Sequence, residues 1–429
     1  MTDLPYGWVS KPLSEVLEES IGGIWGSEPG SAEVDVSVLR VTEMKADGRL
    51  EPSTAARRSV SAKQVASREL RVGDIILEKS GGGPKSPVGR VGIIDSTTAG
   101  YLFSNFMQLL RPATETVQPD FLFQYLVYFQ ATGQTAPMQT ATTNIRNIKM
   151  PDYLASGVPL PPLAEQQRIV EILEEQFSRL DAALASIRTV REKAAAFRRS
   201  LLQAAFHGAL AGDSAVSIPS DWSLLSLDEV SEVRLGRQRS PRNHSGPQMR
   251  PYLRAANVTW QGLDLTDVKE MNFSDEELRV LCLKSGDILV GEASGSPNEV
   301  GKAAVFQGEI ENCCFQNTLL RVRPLSIDTR YLHYFLTGTA MSGAYARESR
   351  GVGISHLGRA KLASWPVPVA PAPEQQRIGE MLDEQFSRLD AALVVANQLE
   401  ARFASERRSI LHAAFAGTLT AQWRETNHG

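Results

Sequence analysis

Residues 165–184 (EQQRIVEILEEQFSRLDAAL) return at 374–393 as EQQRIGEMLDEQFSRLDAAL, with seventeen of twenty positions identical at a constant offset of 209. The same offset relates RRSLLQAAF (198–206) to RRSILHAAF (407–415), and Gly208 and Leu210 to Gly417 and Leu419. An offset that survives from residue 165 to 210 means that no insertion was accepted, the behaviour of a helix whose faces must stay in register. Upstream the match thins and the offset drifts from 214 to 209. Pro5 and Trp8 answer Pro219 and Trp222, Gly73-Asp74-Ile75 answers Gly286-Asp287-Ile288, and Arg111-Pro112 answers Arg323-Pro324. The chain is a tandem duplication in which a divergent segment is followed each time by a nearly invariant one.

The invariant segments read as helices. Pro159, Pro161 and Pro162 precede the first and Pro368, Pro371 and Pro373 the second, and strong helix formers then run without proline to positions where Gly208 and Gly417 can cap. Leu173, Leu180, Ile187, Ala194 and Leu201 recur every seven residues, as do Leu382, Leu389, Ala396, Phe403 and Ile410. Phe177, Leu184, Phe386 and Leu393 fill the intermediate row, which Arg191, Arg198 and Arg407 interrupt. This is a coiled-coil spacing, and each helix of about 45 residues would reach roughly 65 Å. Two similar helices in one chain most simply pair with each other. The alternative is a heptad helix packed on its own domain. Because polar positions recur as faithfully as apolar ones, Glu165, Gln166, Gln167 and Arg168, with Glu374, Gln375, Gln376 and Arg377, are read as a surface offered to the same partner twice, or by the helices to each other.

The divergent segments read as mixed α/β. Val34–Val41, Asp74–Leu77 and Val88–Asp95 look like strands, Phe121–Gln130 and Arg330–Thr337 like buried helices, and the runs at 81–84 and 294–297 like loops. The expected architecture is two tandem, pseudo-symmetric α/β domains separated by a pair of long helices in an antiparallel coiled coil: 1–157, helix 158–212, 213–366, helix 367–429.

Arg234, Arg237, Arg239, Arg242, Arg250 and Arg254 fall in a stretch of 21 residues without one acid. Arginine suits phosphate and guanine contacts alike; a solvated basic loop is the plain alternative. The loop with Lys79 and Lys85 before Arg90, and its counterpart with Asn298 before Lys302, combine small residues with cations, a combination that lets backbone approach phosphates. Asn144, Arg146 and His356 sit in polar loops from which side chains can reach base edges. The net charge of −4 argues against a chain that coats nucleic acid unspecifically, but not against a local binding face.

No catalytic set assembles. Pro161-Pro162 lacks the amide before and the aromatic ring after that a DNA methyltransferase needs, and Gly295 and Gly301 are wrongly spaced for a phosphate loop. Asp35, Glu43 and Lys45 are a weak nuclease-like set, and six histidines with three cysteines show no metal spacing. Cysteine usage and an amino terminus without the basic and apolar regions of a signal peptide suggest the cytoplasm.

The doubled stretch Leu160-Pro161-Pro162-Leu163-Ala164-Glu165-Gln166-Gln167-Arg168-Ile169 followed by a long helix, with Trp8 and Trp222 and the Gly-Asp-Ile repeats, resembles the specificity subunits of type I restriction–modification systems along essentially the whole chain. In the second copy Pro371-Ala372-Pro373 replaces the adjacent proline pair. The resemblance implies a non-catalytic, DNA-binding host-defence subunit in which each divergent domain is a target-recognition domain for half of a bipartite double-stranded site. The helices set the gap and dock two methyltransferase subunits, and translocase–nuclease subunits join them. No cofactor is expected in this chain; S-adenosylmethionine, ATP and Mg would belong to the partners. A coiled-coil assembly scaffold that does not read bases is the competing expectation.

Overall fold

A computed structural model of the protein describes residues 4–45, 48–82, 87–142, 145–206, 218–294, 299–348 and 355–427. The chain divides into two compact units: residues 1–186 with 398–429, and residues 187–397. The units are drawn otherwise than the four sequence segments, because each long helix gives one part to each unit.

In the first unit a four-stranded antiparallel sheet runs in the order Leu17–Gly22, Met107–Pro112, Ile75–Glu78, Val91–Ile93. Its central strand buries every side chain. A second sheet orders Ala56–Val60, Val34–Leu39 and Leu102–Phe103, the last pair parallel. A third orders Gln139–Thr142, Ile145–Ile148 and Ser80–Gly81. The strand Val9–Pro12 closes on Gly157–Leu160. The expected strands are thus present with other bounds: Val34–Leu39 and Val91–Ile93 are shorter than expected, and Ile75–Glu78 is shifted by one residue, with Asp74 just before it. Helix Pro119–Ala131 starts where Gln118 accepts a hydrogen bond from the Phe121 amide. It buries Phe121, Tyr125 and Phe129 in the core.

The second unit repeats the plan. Its four-stranded sheet orders Ser231–Leu235, Leu319–Pro324, Asp287–Gly291 and Ala303–Phe306. Its three-stranded sheet orders Lys269–Asn272, Met249–Leu253 and Cys314–Phe315, again with one parallel pair. Strand Ser223–Ser226 pairs with Pro366–Val369, and helix Thr329–Met341 takes the place of the aromatic helix above. The expected Arg330–Thr337 helix is therefore longer, begun by Asp328, whose carboxylate accepts from the amides of Arg330 and Tyr331.

The weak upstream repeats acquire a physical reason here. The Asp of each Gly-Asp-Ile meets the Arg of each Arg-Pro across neighbouring strands. Arg111 donates to both Asp74 oxygens at 2.8 Å, and Arg323 to those of Asp287 at 2.6 and 2.7 Å. The same carboxylates also accept backbone amides, from Arg71 and Lys284. Arg111 also pairs with Glu19 at 2.6 Å and Arg323 also donates to the Cys282 carbonyl, but Asp74 and Asp287 are the bidentate, buried partners, so both members of each pair must be kept together.

The long helices are Leu163–Ala205 and Ala372–Phe415. In the first unit, residues of the first helix face the second helix in the opposite sense. Arg407 lies 4.1 Å over the Phe177 ring and pairs with Asp181 at 3.1 Å, while Phe415 packs edge-on against Phe121 and Tyr125. In the second unit Arg198 pairs with Asp390 at 2.6 Å over the Phe386 ring, and Arg191 reaches Asn397 at 2.6 Å. Of the arginines that interrupt the apolar row, Arg198 and Arg407 are thus stacked and paired, and Arg191 is hydrogen-bonded to the facing helix. Both sequence readings of these helices hold together: Ile169, Leu173 and Phe177 share one core with Trp8 and Val16 of their own domain and with Leu411 and Phe415 of the other helix. Gly417 ends the second helix at φ +74°, a conformation glycine adopts without strain. Gly208 lies outside the described residues.

Among the described residues no helix is long and apolar enough to cross a membrane, and no three His, Cys, Asp or Glu side chains cluster as metal ligands.

Candidate nucleic-acid interface

Two backbone frames, one per unit, carry the residues singled out above. In the first, the turn after strand Leu102–Phe103 is stitched to its neighbours by Ser104 N to Leu39 O at 2.8 Å, Gly23 N to Met107 O at 3.1 Å and Ile24 N to Phe103 O at 2.8 Å. In the second the corresponding bonds are Gln316 N to Leu253 O at 2.8 Å, Gly236 N to Leu319 O at 3.2 Å and Arg237 N to Phe315 O at 3.1 Å. The two glycines are obligatory: a Cβ on Gly23 would lie 2.1 Å from the Ser104 carbonyl, and on Gly236 2.3 Å from that of Gln316. Counting along the chain from these matching bonds, Trp25 corresponds to Gln238, Arg40 to Arg254, Ser104 to Gln316, Asn105 to Asn317 and Phe106 to Thr318.

In the first unit this frame walls a cavity of about 430 Å³. Trp25, Val41 and Phe106 supply its apolar lining, Arg40, Ser104 and Asn105 its polar one, and Ser80 and Gly81 its third side. Trp25 is held from behind by Arg58, whose guanidinium lies 4.8 Å over the ring and donates to the Trp25 carbonyl. Ser104 is 2% exposed and its Oγ has no hydrogen-bond partner.

The candidate cations divide into those held inside the fold and those free to meet a ligand. Arg90 pairs with Glu78 at 2.7 Å and donates to the Met44 carbonyl; its counterpart Lys302 pairs with Glu299 and faces the Trp260 ring. Lys79 is half-buried and donates to Gln108, and burial pushes its ammonium below the usual lysine range. Arg146 is half-buried on the strand beside Gly81. Of the arginine run, Arg234 pairs with Glu232 at 2.8 Å and Arg254 with Asp267 at 2.6 Å. Arg237 pairs with Glu277 at 2.9 Å and stacks on Phe273. These three serve the fold as well as its surface, whereas Arg239 and Arg242 are exposed. Lys85, Asn144 and Asn298 lie outside the described residues.

One alignment of the two halves needs correction. The sequence sets His356 against Arg146. The sheets pair Asn147 with Ser80 and His356 with Ala293, so His356 answers Asn147. The one-residue shift carries a change of charge with it. Where the first unit has Lys79 and Asn147, the second has Glu292 beside His356 at 3.4 Å, and burial raises the Glu292 carboxyl above its ordinary value.

The eight repeated residues at the helix starts also separate. Glu165 is fully buried and accepts from Trp8 Nε1 at 3.1 Å, Thr420 Oγ1 at 2.7 Å and Arg424 at 2.6 Å. Gln166 accepts from the Gln118 amide and donates to the Pro161 carbonyl; Gln375 does the same with Asp328 and Ala370. Trp222 Nε1 donates to Glu374 at 3.0 Å. These side chains recur because each helix start is bolted to its own domain. Gln167, Arg168, Gln376 and Arg377 are exposed, and they alone of the eight are so. The sequence signal for the bolt was the recurrence of Trp8 and Trp222 together with Glu165 and Glu374, separated by 157 and 152 residues.

Residues 61–188 and 219–396 match the family described as type I restriction modification DNA specificity domain. The chain is 27% identical over 440 residues to the type I restriction enzyme EcoKI specificity subunit of Escherichia coli (strain K12), covering 99% of this chain and 92% of that one. It is 24% identical to the StySPI specificity subunit of Salmonella potsdam, with the same coverages. Among solved structures, a chain from a study of assembly and conformational transition of the type I R-M system aligns over 97% of this chain and 99% of its own at a TM-score of 0.70 and 21% identity. The HsdS subunit from Thermoanaerobacter tengcongensis aligns over 97% and 98% at 0.55 and 20% identity. At these identities the two structures speak for the fold.

Proposed function

Because this chain belongs to the type I restriction modification DNA specificity family, we propose that it is the non-catalytic, sequence-specific DNA-reading subunit of a type I restriction–modification complex, with each unit reading one half of a bipartite target. The observation that carries this is a pair of matching backbone frames bearing unlike side chains at matching positions. Lys79 stands against Glu292, Asn147 against His356 and Trp25 against Gln238. A scaffold has no need to keep a frame and vary what it presents, whereas a reader of two unlike half-sites needs both. Exposed Arg239 and Arg242 in the second unit, and half-buried Lys79 and Arg146 in the first, supply the phosphate contacts. The long helices set the separation of the half-sites. Their exposed Gln167, Arg168, Gln376 and Arg377 contribute to docking two methyltransferase subunits, which translocase–nuclease subunits join. S-adenosylmethionine, ATP and Mg act in those partners.

The test is DNA binding by the chain assembled with its methyltransferase subunits, across a salt series. Log affinity is expected to fall linearly with log salt, with a slope set by the number of phosphates contacted. One bipartite sequence should be bound at least ~10³-fold tighter than unrelated DNA. Binding that is salt-insensitive, or equal for all sequences, would favour the assembly scaffold.

A further inference from the structure

We infer that the cavity bounded by Trp25 and Phe106 in the first unit receives one A·T base pair of that unit's half-site, presented on its major-groove edge; this rests on the DNA-reading function proposed above. The thymine methyl is the one apolar feature on that edge of the four base pairs. A reader of thymine therefore needs an apolar wall, and Trp25, Val41 and Phe106 build one. Aromatic side chains that remain 36% and 42% exposed, as Trp25 and Phe106 do, gain by being covered. Asn105, exposed on the same wall, has the amide that pairs with N6 and N7 of adenine.

One residue of the lining also carries an unanswered polar atom. Ser104 Oγ is buried and bonded to nothing, a cost that a ligand atom can offset. A hydroxyl both donates and accepts, so it suits thymine O4 at the back of the pocket. Arg58, itself paired with Glu28 at 2.9 Å, fixes the Trp25 ring in place.

The second unit keeps the frame and removes the wall. Gln238, Gln316 and Thr318 replace Trp25, Ser104 and Phe106, Ala255 replaces Val41, and only the polar Arg254 and Asn317 repeat Arg40 and Asn105. Thr318 already spends its hydroxyl on the Ala255 amide at 3.0 Å. The described residues of the second unit therefore supply no apolar wall at this place, and its half-site should differ there.

The experiment uses the assembled chain and its methyltransferase subunits with a panel of duplexes. In each, one thymine of the target is replaced by deoxyuridine, which lacks only the methyl. One position in the first half-site should lose about four-fold in affinity, the worth of one buried methyl. In the W25Q/F106T variant that loss should vanish while positions in the second half-site respond as before. Both residues lie at the surface, so the variant leaves the core intact. Ser104→Ala, which removes an unpartnered buried hydroxyl, should weaken cognate binding without lowering the melting temperature. The inference is overturned if no first-half thymine responds to loss of its methyl, if the response survives W25Q/F106T, or if Ser104→Ala binds as well as wild type. Equal binding of all DNA by the unaltered complex would instead sink the functional reading on which it rests.

Discussion

Replacing Arg424 by alanine should destabilise the first unit by about 3–5 kcal/mol, the usual consequence of stranding one charge of a buried pair. The stranded group is Glu165, whose side chain is wholly buried, while Arg424 is 13% exposed. Arg424 donates to Glu165 at 2.6 and 3.1 Å and stacks over Trp8, which itself donates to the same carboxylate. Three distant stretches, the amino-terminal strand, the start of the first long helix and the carboxy-terminal helix Ala421–Asn427, meet on that one side chain. The loss should be local: hydrogen exchange should rise in Val9–Pro12 and in Ala421–Asn427 and remain unchanged in the second unit. A pH dependence follows. Burial alone would raise the Glu165 carboxyl, but Arg424, Thr420 and Trp8 outweigh it and hold it below its ordinary 4.5. A carboxyl depressed in the folded state contributes its stability above that value and loses it as pH falls through the folded pKa. The wild type should therefore lose first-unit stability more steeply than Arg424→Ala as pH drops below 4.5. Equal acid slopes, or a cost under about 1 kcal/mol, would contradict the assigned role.

Asp74→Ala and Asp287→Ala are the second large effect. Each should cost its own unit about 3–5 kcal/mol by leaving a guanidinium without its bidentate partner inside a sheet. The first should cost more, because Arg111 is 9% exposed at its side chain and Arg323 22%. Water can partly answer Arg323. The bond to Asp74 holds the Arg111 guanidinium above the usual arginine value, the mark of a cation that depends on it. Removing both charges with Asp74→Ala/Arg111→Leu should recover much of the loss, since an apolar pair carries no desolvation cost. Urea unfolding of the single and double variants measures this directly. A double variant no more stable than Asp74→Ala would mean that the pair is not the source of the effect.

What the sequence made legible, and what it did not, follows from the range of the interactions. The long helices could be read because a heptad spacing is local, and Arg198 and Arg407 could be seen to break it. That each break is a stack on Phe386 or Phe177 could not be seen, because those rings lie on the facing helix. The Gly-Asp-Ile and Arg-Pro repeats were visible as landmarks. Their meeting as one ion pair was not, because 37 residues separate Asp74 from Arg111. The repetition of Glu165 and Gln166 was visible too, and it suggested a surface. A helix start that must dock on its own domain repeats for the same reason as a docking surface, and only burial separates the two. The arginine run was read as one basic face because the stretch itself holds no acid; Glu277 and Asp267 reach Arg237 and Arg254 from a helix and a turn further along the chain. The cavity at Trp25 was not legible at all, for its walls come from four separate segments and its meaning appears only when the two units are compared.

The most direct test of the account is co-expression of this chain with its cognate methyltransferase subunit, followed by genome-wide mapping of methylated adenines. The account predicts one split motif with two unlike halves, and a change in only one half when residues 1–157 are exchanged for those of a relative. An assembled complex that methylates a contiguous motif, or nothing, would contradict it.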